Sequence, residues 1–261
     1  MSGNAGRSRG RRPRADSWEP VASWYDAWVG DRGSRYHRAA AIPAAIDLLR
    51  PEPGESILDI GAGQGVLGPY VAKHRARYTG VDLSPRLIEI ARRRHGSSGR
   101  FLVGDSRALD AVPGLRPHAY DAAVFLLSIQ DMDPLAPIFA SLDWALRPSS
   151  RVVLLMTHPA FRQPRHAGWG FDPDRKLVYR RVDAYLGEMA VPMKSIGDAR
   201  TVAFHRPISA YVNGLASVGF ALDAMLELPD IPDDQRPRGR RPAGRADAEI
   251  PLFMGLRARR R

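Results

Sequence analysis

The sequence predicts an α/β fold with a largely parallel sheet. Three stretches carry that prediction. Ile57-Leu58-Asp59-Ile60 reads as a buried strand and runs straight into glycines at alternate positions, Gly61, Gly63 and Gly65. Tyr78–Asp82 and Phe101–Asp105 read as two further strands, each ending in an acid. Between the three strands lie segments of helical period: Val66, Leu67, Tyr70 and Val71 in the first, Leu87, Ile88 and Ala91 in the second. Strands alternating with helices make a parallel sheet covered on its faces.

Along the chain, Met1–Asp16 is rich in Arg, Gly and Ser and is expected to be a disordered basic tail. Residues 17–55 form an aromatic, helical segment, expected to cover an active site; it holds Trp18, Trp24, Tyr25, Trp28, Tyr36 and His37. Its helix, Ala39–Leu49, is started or bent by Pro43, and Pro51–Gly54 turns the chain into the first strand. Ser84 reads as an N-cap with Pro85 at the first helical position, and Gly96 stops that helix behind a cationic last turn. Tyr120–Leu127 gives a fourth strand. A helix from Asp133-Pro134 through Leu146 is ended by Pro148, and Arg151–Met156 gives a fifth strand. Residues 157–207 are too long and too aromatic for a plain connection and are expected to form a substrate cap. Residues 208–256 return to a helix, Ile208–Val218, and two strands, Phe220–Leu228 and Glu249–Leu256, separated by a mobile linker at 229–248; residues 257–261 read as a second basic tail.

Composition narrows the class. The 261 residues are 44% hydrophobic, enough for a sizeable core, and include no cysteine, so no disulfide frame, thiolate nucleophile or Cys-based metal site is available. No apolar run is long enough to span a bilayer and none resembles a secretory signal, so a cytoplasmic protein without a membrane partner is expected. The net charge of +11 is carried at the two ends: five arginines against one acid in residues 1–16, nine against two in 235–261. The body between them is neutral overall, so nucleic acid is not the expected substrate, which would call for a basic stripe beside the site. Asp131 and Asp133 lack a third ligand at a metal-binding spacing, so no metal is expected.

A strand, a glycine turn and a helix N-terminus together bring backbone N–H groups close to a ligand, which suits a nucleotide-like cofactor. The dinucleotide fingerprint would place its third glycine where Val66 stands, so the nicotinamide pattern is not met. The run Asp59-x-Gly61-x-Gly63-x-Gly65 instead resembles motif I of the class I S-adenosylmethionine (SAM) methyltransferases, of the type 11/25 kind, and Asp82 and Asp105 stand at the strand ends where that family has acids. The resemblance covers Ser56–Met156 and continues more loosely to the C-terminus. It implies a Rossmann-like, seven-stranded, mostly parallel sheet with helices on both faces, the last strand pair antiparallel, and the 157–207 cap inserted after strand five. Residues 56–156 are then the SAM-binding core. The implied cofactor site is Asp59, Gly61, Ala62, Gly63, Gly65, Asp82, Leu83, Gly104, Asp105, Ser106 and Leu127, with Asp82 on the ribose diol and Asp105 on the adenine amino group.

For acceptor chemistry the candidates are His37, Gln130, Asp131 and His158 as catalytic groups, and Tyr25, Tyr36, Trp169 and His205 as substrate contacts. After strand four the chain reads Leu127-Ser128-Ile129-Gln130-Asp131, which departs from the motif of amino-methylating nucleic-acid enzymes. The expected function is methyl transfer to oxygen or carbon of a small aromatic or apolar molecule, similar to quinone-biosynthesis and natural-product methyltransferases. Three alternatives stay open: an RNA- or protein-directed methyltransferase docking through the arginine tails, a non-catalytic SAM-binding regulator, and, more distantly, a nicotinamide oxidoreductase. The acceptor and the oligomeric state are not legible in the sequence.

Overall fold

A computed structural model describes residues 18–163, 165–193, 201–230 and 249–261. Seven strands form one sheet: β1 (Ser56–Ile60), β2 (Arg77–Asp82), β3 (Arg100–Val103), β4 (Tyr120–Leu126), β5 (Leu146–Thr157), β10 (Phe220–Pro229) and β11 (Pro251–Arg260). Their order is β10-β11-β5-β4-β1-β2-β3. The five strands from β3 to β5 pair in parallel, while β11 runs antiparallel to both β5 and β10. Strand order reverses between β1 and β4, the place where open α/β sheets bind ligands beyond the strand carboxyl ends.

Helices cover both faces. On one, α2 (Ile42–Leu49), α3 (Gly68–Lys73) and α4 (Pro85–His95) bury Leu48, Leu49, Val71, Ile88 and Ala91 against the sheet residues Ile57, Val124 and Val153. On the other, α5 (Leu135–Ala145) and α6 (Ile208–Ser217) bury Ile138, Phe139, Leu142, Tyr211 and Leu215 against Leu58, Phe125 and Leu154. Adjacent strand residues alternate between the two cores, the period-2 consequence of a sheet buried on both sides. Arg151 ties the layers: its guanidinium donates to the carbonyls of Leu49 and Arg50, where α2 ends, and to the Glu55 carboxylate just before β1. A short helix, α1 (Ala22–Val29), precedes α2. After β5 come two hairpins, β6 (Ala167–Asp172) with β7 (Leu177–Val182) and β8 (Met189–Pro192) with β9 (Val202–His205).

Three sequence expectations need correction. The helix before β5 stops at Ala145, and Leu146 is already in the strand, paired with Tyr120. The last strand runs to Arg260, so residues 257–261 are not a tail. Arg257 and Arg259 both hydrogen-bond Asp223 at 2.8 and 2.7 Å, and Arg260 bonds Asp143 at 2.6 Å. A register shift between Leu222 and Ala224 leaves Asp223 out of the ladder, where one carboxylate meets two arginines spaced by two along β11. Finally, Pro229 belongs to β10 rather than to a linker. The expected tail at 1–16 and the linker residues 231–248 lie outside the described residues. No helix among the described residues is long and apolar enough to cross a membrane.

Gly65 exemplifies how tightly α4 and the sheet close. Its φ is +81°, and a Cβ there would sit 2.4 Å from the Phe101 ring and 3.1 Å from Ala91 Cβ. Gly65→Ala is expected to cost about 1–3 kcal/mol through overpacking, read as a lowered midpoint in a thermal melt of the full chain.

Candidate functional site

The glycine turn after β1 is fixed by backbone bonds to the end of β2. Gly61 N–H and Ala62 N–H both donate to the Val81 carbonyl, at 2.8 and 3.0 Å. One oxygen of Asp82 accepts the Gly63 N–H at 2.8 Å, and the other accepts the Ser84 N–H at 2.9 Å. Ser84 caps α4 by accepting the Leu87 N–H at 3.1 Å, and its hydroxyl donates to Glu19. The three glycines all have positive φ but serve different ends. A Cβ on Gly61 would strike Met132 and Ser128, and one on Gly65 would strike Phe101, so both permit packing. A Cβ on Gly63 would meet only the Tyr25 ring, at 3.5 Å, so this glycine leaves a cradle open toward the cavity.

That cavity has a volume of about 860 Å³ and lies beyond the carboxyl ends of β1 to β4. Its floor is Gly61, Gly63, Asp82 and Leu83, then Gly104, Asp105 and Ser106 after β3, and Leu127 after β4. Asp105 is held by Arg107, whose guanidinium donates to both its oxygens at 2.8 and 2.9 Å. Leu127 adopts φ +55°, an uncommon backbone for leucine, at the point where the chain leaves β4 for the site. One wall is aromatic: Trp18 packs edge-on to Tyr25 at 5.1 Å, and Trp24 stacks on Trp28 at 6.1 Å. The post-β5 insertion also contributes to the lining, with Arg162, Gln163, Ala167 and Ala203.

Three titratable groups on the lining depart strongly from their usual behaviour. Burial pushes the Asp131 carboxyl up to about 7, the neighbouring Gln130 amide opposing only in part. Burial, with the adjacent Arg38 charge, lowers His37 to about 4, so its imidazole is neutral at pH 7. His37 Nδ1 lies 2.8 Å from Ser34 Oγ. It opens a π-helical stretch, His37–Ala41, in which the Ile42 N–H reaches back to the His37 carbonyl. Pro43 follows immediately and has no N–H for a regular helical bond, and the widened turn carries the helix past it. Burial, and to a lesser extent the carboxylates of Asp82, Asp131 and Asp59, raise the Tyr25 hydroxyl.

The structure brings most of the sequence candidates to this one cavity. Tyr25, Tyr36, His37, Gln130 and Asp131 line it, as do Gly61, Gly63, Asp82, Leu83, Gly104, Asp105, Ser106 and Leu127. Six candidates do not line it. Asp59 is buried beneath the turn, accepting the Tyr78 hydroxyl at 2.6 Å. Ala62 packs against Gly80, and Gly65 against Phe101. His158 is buried behind the cavity, its Nε2 2.9 Å from Glu227 Oε1 on β10. Trp169 lies beneath the Arg180 guanidinium, 5.2 Å from ring to charge, and His205 Nε2 is 2.8 Å from the Tyr185 carbonyl. Sequence reasoning passed over Trp18, Trp24 and Trp28 as site residues, although Trp24 and Trp28 are four apart on one helix face. Gln163 carried no signal, being a lone polar residue in a loop.

Comparison with known proteins agrees with this geometry. Residues 57–149 match the family model described as a methyltransferase domain. A ubiquinone biosynthesis O-methyltransferase of Methylocella silvestris is 35% identical over 38% of this chain and 44% of its own length. A demethylmenaquinone methyltransferase of Tropheryma whipplei is 30% identical over 44% of this chain and 48% of its own. The chain thus spans about half the length of the curated relatives it matches. The crystal structure of a SAM-dependent methyltransferase from Mesorhizobium loti superposes with a TM-score of 0.69 at 26% identity, covering 85% of this chain and 99% of that one. Residues 57–149 are thus a methyltransferase domain, on the fold of the SAM-dependent methyltransferases. The residues present fit that cofactor. Gly63 leaves room for close approach, Asp82 offers a carboxylate beside the turn, and aromatic rings on the lining suit a sulfonium cation.

Asp82 should be the most sensitive side chain for the cofactor, because it holds the turn as well as facing the cavity. Asp82→Ala is expected to weaken SAM binding by about 1–3 kcal/mol, measured by calorimetric titration of the purified protein.

Proposed function

We propose that this protein transfers the methyl group of SAM to an oxygen or carbon of a small aromatic or apolar molecule. The observation that carries this reading is the cavity's make-up. Its roughly 860 Å³ is near the upper end of small-molecule sites, about 300–1,000 Å³. It is lined by tryptophans and by residues of the post-β5 insertion, with a carboxyl poised near neutrality among them. Relatives named for ubiquinone and menaquinone biosynthesis support an acceptor of this chemical kind.

When bound, the cofactor supplies a methyl group made electrophilic by its sulfonium. The chain's task is then alignment, water exclusion and proton management. Alignment of two reactants in a closed site can lower a barrier by about 7–11 kcal/mol. Tyr25 and the Trp18, Trp24 and Trp28 wall offer flat apolar surfaces to hold an acceptor. Asp131 is assigned as the group that takes a proton from an acceptor hydroxyl, since its carboxyl is ionised only above about pH 7. His37, neutral throughout that range and oriented by Ser34, is assigned to hydrogen-bond the acceptor.

The substrate class is tested by label partition. Purified protein, methyl-labelled SAM and a bacterial lysate split into metabolite, RNA and protein fractions are combined at low and moderate salt. Label in the metabolite fraction at both salts supports the proposal; label in RNA or protein would replace it with a macromolecular acceptor. The Asp131 assignment has its own test. The carboxylate is the reactive form, so kcat/KM should rise as pH passes upward through about 7. Asp131→Asn should remove that limb and lower kcat by about 10²–10⁴-fold while SAM affinity holds; an unchanged pH profile would remove Asp131 from the role.

A further inference from the structure

Asp105 and Arg107 stand two residues apart just after β3, and both line the cavity. Gly104 N–H donates to the Asp82 carbonyl at 2.9 Å, so Asp105 begins directly beyond the point where β3 parts from β2. Arg107 grips this acid with three groups. Its Nε donates to Asp105 Oδ1 at 2.8 Å, its Nη2 to Oδ2 at 2.9 Å, and its backbone N–H to Oδ1 at 3.0 Å. The two side chains are only 17% and 27% exposed, which limits competition from water for the pair. The guanidinium is held in turn. Its Nη1 donates to the Asp133 carbonyl at 2.9 Å, and the Asp133 carboxylate accepts from Arg206, itself buried at the end of the post-β5 insertion. The acid after β3 is thereby fixed to the segment after β4, which also carries Gln130 and Asp131.

A carboxylate left to itself turns about its own side-chain bonds. A two-pronged pair with a guanidinium gives it one plane, which the single ammonium of a lysine does not impose. A nucleoside whose ribose sits at Asp82 carries its base toward the next strand, about 4.8 Å away, where Asp105 stands. Carboxylate oxygens only accept hydrogen bonds, so they suit the 6-amino group of adenine and repel the 6-oxo group of hypoxanthine. Hypoxanthine does offer an N–H, but at the adjacent ring position, and only a carboxylate free to swing would follow it there. We infer that Arg107 is a positioning residue for the cofactor's base: by fixing the plane of the Asp105 carboxylate it lets the site tell a 6-amino purine from a 6-oxo purine. The contact with the base belongs to Asp105, and Arg107 acts through it. The inference rests on SAM as the cofactor, with its adenine at Asp105 as the family resemblance implies, and is independent of the acceptor.

The test compares two probes by calorimetric titration of the full chain: S-adenosylhomocysteine and S-inosylhomocysteine, which differ only in the base. Wild type should bind the adenine probe at least about tenfold more tightly. Arg107→Gln should narrow that ratio severalfold, and Arg107→Lys, which keeps the charge without the fork, should restore only part of it. Asp105→Asn, whose amide is able to donate to the 6-oxo group, should abolish the preference. The ratio reports base recognition whatever fraction of a preparation is folded, so a variant with a lowered melting midpoint remains informative. A ratio unchanged in Arg107→Gln, even with both affinities reduced together, makes Arg107 a structural support only and overturns the inference. Equal binding of the two probes by wild type also overturns it while leaving the SAM reading intact. A wild type that binds neither removes the SAM reading itself, and this inference with it.

Discussion

The site depends on one carboxylate. Asp82 stands at the end of β2 and spends both oxygens on backbone amides, Gly63 of the β1 turn and Ser84 at the head of α4. Through Ser84 and Arg86 it is also linked to Glu19, whose carboxylate receives the Ser84 hydroxyl and the Arg86 N–H. Three separate segments thus meet at one residue: the glycine turn, the next strand–helix junction and the aromatic N-terminal segment. Charge-assisted bonds to main-chain amides are among the stronger hydrogen bonds available in a protein. Here they fix a backbone that glycine would otherwise leave free to wander.

The same neighbourhood concentrates negative charge. Asp59 lies under the turn and Asp131 on the lining, and burial pushes each carboxyl up to about 7, with the Asp82 charge adding to the effect on Asp59. Tyr25 feels all three acids. A cluster of this sign would be costly in an empty apolar pocket, and a permanently cationic cofactor offsets it. Asp59 itself never reaches the cavity. Tyr78 covers it, so its contribution is to the field and to the packing under the turn rather than to contact.

What was legible in the sequence follows how local each determinant is. The β1 turn, the Ser84 cap and the acids at strand ends are set within a few residues, and the structure has them where the pattern places them. The His158 environment is not local: its partner Glu227 is 69 residues away, across the antiparallel edge of the sheet, so its position after β5 looked catalytic. Trp169 and His205 were misplaced for the same reason, their surroundings being Arg180 and the Tyr185 carbonyl within the insertion. The arginine-rich C-terminus misled differently. Composition alone reads Arg257, Arg259 and Arg260 as solvated, whereas the bulge at Asp223 and the carboxylate of Asp143 give them partners that only the fold reveals. The basic charge of this stretch is thereby partly neutralised within the sheet, which removes much of the reason to expect a polyanion as substrate.

In the proposed reaction, cofactor and acceptor meet different parts of the chain, under different constraints. The cofactor side is built at the sheet's switch point from backbone amides, glycines and strand-end acids, a geometry any parallel sheet of this order supplies. The lining that the proposed acceptor would meet comes from α1 and the insertion after β5, which share no hydrogen-bonded sheet with the core. Such segments can change without disturbing the sheet, provided they are anchored. In this chain the anchor is His158, whose ring bonds Glu227 of β10 and whose N–H donates to the carbonyl of Leu252 in β11, the neighbour of β5. The half-buried His158–Glu227 contact thus ties the start of the insertion, which supplies part of the cavity lining, to the antiparallel edge of the sheet that carries the cofactor floor.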